Sequence, residues 1–253
     1  MASNINYRKL IFQGGAGGEK EDCLEVTIPE ILDPHYGMYI WPCAPVLAQY
    51  LWYNKHKING SSILELGAGT SLPGVVAAKC GAKVILSDAR QFPRCLENCK
   101  RSCQANDLQD VDVVGITWGD FSRELFELPT LDFIVASDCF YDTKDFEDVL
   151  ATVYFLLDRN PDARFLCTYQ ERNSDWSIEF LLNKWQLQCL HISLPSFEAD
   201  SQSIAQSNLP GNHTIWMLEM TTEEMTKKDM PEKNYQMMLF LKSAMDFYRP
   251  QVM

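Results

Sequence analysis

Between Trp41 and Leu218, short and almost uninterrupted apolar runs alternate with longer amphipathic stretches, and few architectures accommodate that rhythm. The runs fall at 62–66, 83–87, 111–116, 131–136 and 164–168; helical patterns occupy 72–80, 93–105, 144–158 and 174–186. A strand that is apolar on both faces must be covered on both, which means a largely parallel sheet between layers of helices. Right-handed crossovers then set where the helices lie, and ligands belong at the carboxyl ends of the strands. Two further strand-like runs, 189–194 and 214–220, have only a loop around 200–203 between them, so the last strand can return antiparallel. The expected fold class is α/β: a mostly parallel sheet with an antiparallel last strand and helices on both faces.

The flanks read differently. Residues 5–12 and 23–28 look like strands around the glycine-rich connector 14–18, giving an N-terminal β extension over 1–37. Helical spacing from 38 to 56, with Pro42 and Pro45 near its start where proline is tolerated, opens a central domain at 38–220. The tail 221–253 has a charged stretch at 226–233 and an apolar one at 235–247, compatible with a docked helix or a loose end.

The chain of 253 residues carries 22 basic and 34 acidic side chains, a net charge of −12, which disfavours a broad nucleic-acid footprint. It suits a basic protein partner or simple solubility. With 46% hydrophobic residues, wholesale disorder is excluded. No run approaches the roughly 20 apolar residues that span a bilayer. The N-terminus lacks the apolar core of a signal peptide, so the nine cysteines are expected as free thiols in a reducing, intracellular compartment. Cys95, Cys99 and Cys103, at i, i+4 and i+8, share one helix face; this reads as packing on the sheet rather than as a zinc site, which favours paired short spacings in loops. No metal is expected.

The chemical signal is the segment Glu65-Leu66-Gly67-Ala68-Gly69-Thr70-Ser71-Leu72-Pro73-Gly74, set between a strand and a helix. Glycines there let the backbone turn sharply and a ligand lie on it. Asp88 ends the next strand, about 20 residues on, where a carboxylate can accept from both hydroxyls of a ribose. A nucleoside cofactor is implied. The third glycine of the dinucleotide fingerprint is replaced by Leu72, and the third crossover is short. Together with the antiparallel last strand, these features favour S-adenosylmethionine, which has no pyrophosphate, over a nicotinamide dinucleotide.

These residues resemble the seven-strand (class I) S-adenosylmethionine-dependent methyltransferases with their Rossmann-like sheet, and most closely the methyltransferase-like family 16, whose better-known members methylate protein lysines. The resemblance runs from Tyr39 to about Leu218. Its marks are Trp41, the glycine loop, Asp88, Trp118-Gly119-Asp120 after the third strand, and Asp138-Cys139-Phe140-Tyr141 after the fourth, a match to that family's Asp-x-x-Tyr motif. It implies that Glu65, Gly67, Ala68 and Gly69 form the cofactor loop, that the three loop residues after Leu66 hold the amino-acid part of the cofactor by backbone, and that Asp88 binds ribose. Trp118 would pack on adenine, and Trp41 and Ser137 would complete the wall. Asp138 would hold a cationic acceptor and Tyr141 would flank it.

Trp41-Pro42-Cys43-Ala44, Ser71 to Gly74, 77–82 and Leu209-Pro210-Gly211 are similar to a family member regarded as a histone arginine methyltransferase. The expected activity is therefore methylation of a basic protein side chain, arginine first and lysine second, on a basic tail such as a histone, with chaperones as further partners and no direct nucleic acid or membrane. Established arginine methyltransferases use two glutamates on one loop; no such pair follows the fourth strand, and Glu171, at the next strand end, reads as a solvated loop residue sooner than as a second carboxylate. A cofactor-binding adaptor without turnover and a small-molecule or RNA methyltransferase stand as alternatives.

Overall fold

A computed structural model of the chain describes residues 5–14, 22–31, 38–173, 176–210 and 214–222. The N-terminal runs pair as an antiparallel hairpin, β1 (Ile5–Gln13) with β2 (Cys23–Ile31). Next comes α1 (Cys43–Tyr53), entered through Pro42, and a one-turn α2 (Lys55–Ile58). The alternating core follows as β3 (Ser62–Glu65), α3 (Leu72–Lys79), β4 (Lys83–Asp88), α4 (Pro93–Gln104), β5 (Asp112–Gly115), a short α5 (Arg123–Phe126), β6 (Phe133–Ser137), α6 (Phe146–Arg159), β7 (Arg164–Gln170), α7 (Glu179–Lys184) and β8 (Leu187–Ile192). A 3₁₀ turn at Leu194–Phe197 and a small hairpin, β9 (Ser203–Ile204) with β10 (Ser207–Pro210), lead to β11 (Ile215–Thr222).

Seven of these strands form one sheet in the order β5-β4-β3-β6-β7-β11-β8. Pairing among β3 to β7 is parallel, and β11 runs antiparallel to both β7 and β8. The expected fold class is thus the observed one.

Successive strand residues point to opposite faces, and two separate cores record this. Ile63, Val135, Leu166 and Met217 join α1, α3, the Cys99 and Cys103 side of α4 and the β1–β2 hairpin on one face. Leu64, Ile134, Phe165 and Met220 join α6 on the other, with α7 packed at its margin. Cys95, Cys99 and Cys103 are buried, as their spacing implied.

Two details differ from expectation. The helix expected over 174–186 is confined to α7, with residues 174 and 175 outside the described set. The loop expected around 200–203 contains part of the β9–β10 hairpin, because Phe197, Ala199, Ile204 and Ala205 bury against the first core and the Ala205 carbonyl accepts from the Ile11 N–H. Most of the connector 14–18 and the tail from 223 onward lie outside the described residues. Among those described, no helix is long and apolar enough to cross a membrane.

Candidate active site

The glycine loop leaves β3 and enters α3 through two left-handed glycines, Gly67 (φ 61°) and Gly69 (φ 52°), and a left-handed Ser71 (φ 61°). It is tied down from within. Leu66 N–H donates to Val135 O, Ala68 N–H to Ser87 O, and Gly69 N–H to Asp88 Oδ2 at 2.8 Å. From α4, Ser102 Oγ donates to Thr70 O at 2.7 Å. At Gly67 there is no room for a side chain, since a Cβ would lie 2.8 Å from Trp118 Cζ2. The indole therefore lies directly on the glycine.

Glu65 sits beneath this loop. It is fully buried, and its Oε2 accepts from Gly74 N–H at 2.9 Å, joining the end of β3 to the first turn of α3. Burial pushes its pKa up to about 8, and the nearby Asp88 adds to this while the Gly74 hydrogen bond opposes it. Glu65 braces the loop and has no surface to offer a ligand.

Asp88 ends β4 across from the loop. Oδ1 accepts from Ala89 N–H and Oδ2 from Gly69 N–H, each at 2.8 Å. Each oxygen keeps a second lone pair for a hydroxyl donor. Burial raises its pKa, and the two backbone hydrogen bonds work against that rise.

At the carboxyl end of β6, Ser137 is half-buried and leads into Asp138, a non-glycine residue held at φ 60°. Asp138 N–H donates to Thr168 O at 2.8 Å, and Thr168 Oγ1 donates to Cys43 O at 3.0 Å, so the bend is fixed between β7 and the start of α1. The Cys43 thiol lies against the Asp138 carboxylate, and Trp41, two residues earlier, packs on Tyr39 with ring centroids 4.7 Å apart.

The Asp138 side chain is only 6% exposed, and it is paired: Arg172 Nη1 donates to Oδ1 at 2.8 Å and Nη2 to Oδ2 at 2.5 Å, a fork-to-fork contact. Nη1 also reaches Gln170 O at 3.2 Å. The sequence patterns point to Glu171 and not to Arg172. Its only signal is a cation two residues beyond a strand whose end borders the site.

Tyr141 is 38% exposed, its ring 6.3 Å from that of Trp118. Its pKa is pushed up to about 12, mainly by burial and then by Asp145, Asp88 and Asp142. The phenol stays protonated near neutrality, a hydrogen-bond donor and aromatic wall rather than a base. Glu171 accepts from Trp216 Nε1 at 3.2 Å and stays outside the Asp138 contact.

Of the residues singled out from sequence, Asp88 is bonded to Gly69, Trp118 lies on Gly67 and Tyr141 faces Trp118. Asp138 ends the neighbouring strand β6, where Arg172, which the sequence did not single out, pairs with it. The loop and Asp88 fit a nucleoside cofactor in their chemistry: each Asp88 oxygen keeps a lone pair for a hydroxyl donor, and the Trp118 indole beside the glycine turn is a flat apolar surface for a base.

Comparison with known proteins agrees. The histone-arginine methyltransferase METTL23 of Mus musculus is 55% identical over 201 residues, 79% of each chain. That of Homo sapiens is 57% identical over 181 residues, 72% of this chain and 95% of that one. Among solved structures, the Thermus thermophilus 16S rRNA N2 G1207 methyltransferase, in complex with AdoMet and guanosine, superposes with a TM-score of 0.55 at 17% identity, covering 86% of this chain and 51% of that one, a likeness of fold. Residues 20–184 match a family model described as lysine methyltransferase, and the chain belongs to that methyltransferase family.

Proposed function

We propose that this S-adenosylmethionine-dependent methyltransferase acts on an arginine side chain of a histone. One observation carries the choice of acceptor: the carboxylate at the acceptor end of the site already takes a guanidinium with two parallel N–H···O bonds. A planar fork matches a carboxylate in this way; an ammonium meets it only as a point charge. Relatives more than half identical carry histone-arginine methyltransferase in their names, which supports the same reading. The segment after Asp138 carries Asp142, Asp145, Glu147 and Asp148; Lys144 pairs with Asp142 and Lys184 with Glu147, and the remaining excess of acid suits a basic tail. With a histone as acceptor, the location this reading expects is cytoplasmic and nuclear.

When bound, the cofactor supplies a methyl group on a sulfonium, already equipped with a good leaving group. Asp88 would accept from its ribose hydroxyls, and Trp118, which lies on Gly67, would pack against its base; base stacking on an aromatic ring contributes roughly 1–3 kcal/mol. Glu65 acts one step removed, holding the loop to α3. Asp138 would hold the plane of the acceptor guanidinium, and a fixed orientation of the attacking nitrogen is what an in-line displacement requires. Tyr141 walls the other side of the cation.

Incubation of the recombinant protein with tritiated S-adenosylmethionine and purified core histones, followed by acid hydrolysis, should yield labelled methylarginine. Labelled methyllysine would transfer the reading to the activity in the family's description; unlabelled histones would overturn it. Asp138→Asn should keep cofactor affinity by calorimetry while turnover falls roughly 10²-fold.

A further inference from the structure

Arg172 occupies the position that the proposed function assigns to the substrate. Its guanidinium lies fork-to-fork on a carboxylate that is 6% exposed, while the arginine side chain itself is 26% exposed. It arrives on residues 171–173, which are exposed and follow the end of β7, so the cation has a path to solvent that the carboxylate lacks. Asp138 is held by its left-handed backbone and the Thr168 contact, and it cannot follow.

We propose that Arg172 is an internal stand-in for the acceptor, and that a substrate guanidinium enters by exchanging with it. The inference rests on the arginine reading above. A buried carboxylate left without a partner is strongly destabilising, so emptying the position before a substrate arrives is unfavourable. Exchanging one guanidinium for another keeps the charge compensated throughout. A neutral side chain offers no such compensation and is rejected, and an ammonium compensates the charge without restoring the second hydrogen bond. Arg172 thereby acts as a specificity-determining residue: it sets the entry condition at Asp138. Displaced, its side chain has Glu171 beside it, an exposed carboxylate positioned by the Trp216 indole.

The test separates binding from turnover. In Arg172→Ala, thermal melting is followed during titration with methylguanidinium or methylammonium chloride up to about 20 mM, against sodium chloride at equal ionic strength. The expected result is a lowered melting temperature that methylguanidinium raises again by several degrees and methylammonium raises less. Neither should restore the double variant Arg172→Ala, Asp138→Asn, nor raise the wild type. With core histones as substrate, Arg172→Ala should lower KM about tenfold, and Arg172→Lys should give an intermediate value. An unchanged melting curve on methylguanidinium addition, with KM unmoved or raised, would overturn the proposal and leave Arg172 a fixed brace for Asp138. Should wild-type protein fail to label histones while methylguanidinium still rescues Arg172→Ala, the cation site stands and the histone reading falls.

Discussion

Glu65 is a carboxylic acid with no exposed surface, one oxygen on Gly74 N–H and the other without a hydrogen-bond partner. Its pKa of about 8 lies above the ordinary 4.5, so the folded protein keeps a proton that the unfolded chain has released over that interval. Stability from this group is therefore complete below the ordinary value and declines as pH rises through about 8. In Glu65→Gln the neutral form is permanent. Urea unfolding at pH 5 to 8 should show wild-type stability falling relative to Glu65→Gln by on the order of a few kcal/mol, with nearly equal values at pH 5. Curves that run parallel would show that Glu65 does not titrate in this window. Asp138 presents the opposite solution at the same scale: its charge is matched by Arg172 rather than avoided.

Helix α3 shows how an element serves the site. It begins at left-handed Ser71, has Pro73 in its first turn, and ends in a Schellman turn at Gly81 (φ 88°), whose N–H bonds Ala78 O while Ala82 N–H bonds Ala77 O. Gly74, in the first turn, is glycine for want of space: a Cβ there would collide with Leu86 Cδ2 and Glu65 Oε2. Gly74→Ala should destabilise by about 1–3 kcal/mol in denaturant titration despite alanine's better helix propensity, and should weaken cofactor binding by displacing Glu65. Elements such as this were legible because their signals are local: an apolar run, then glycines, then a helical period closed by Gly81. The Asp138–Arg172 pair was not, since two residues 34 apart meet only through the β6–β7 pairing. The β9–β10 hairpin escaped for another reason: a two-residue strand has no period to read, and burial of Ile204 and Ala205 decides its form.

Across the whole molecule, the β1–β2 hairpin belongs to the same core as the catalytic sheet: Leu10, Phe12, Val26 and Ile28 pack with α1, α3 and Val135. Asn106, just past α4, clasps Thr27 by both its N–H and its carbonyl, at 2.9 and 2.7 Å. Phe12→Ala should accordingly cost about 3–5 kcal/mol of global stability, with tryptophan fluorescence and far-UV circular dichroism reporting one coincident transition. Two separate transitions would make the hairpin an independent unit. The sheet itself is completed from its C-terminal end. β11 is the last strand among the described residues yet lies between β7 and β8, pairing with both. During synthesis, β7 and β8 must wait with open hydrogen-bonding edges until residues 215–222 have emerged from the ribosome. Polypeptides cut short before that point retain the acceptor-site residues but expose two raw strand margins, so premature termination late in the message yields material prone to aggregate rather than a weakened enzyme.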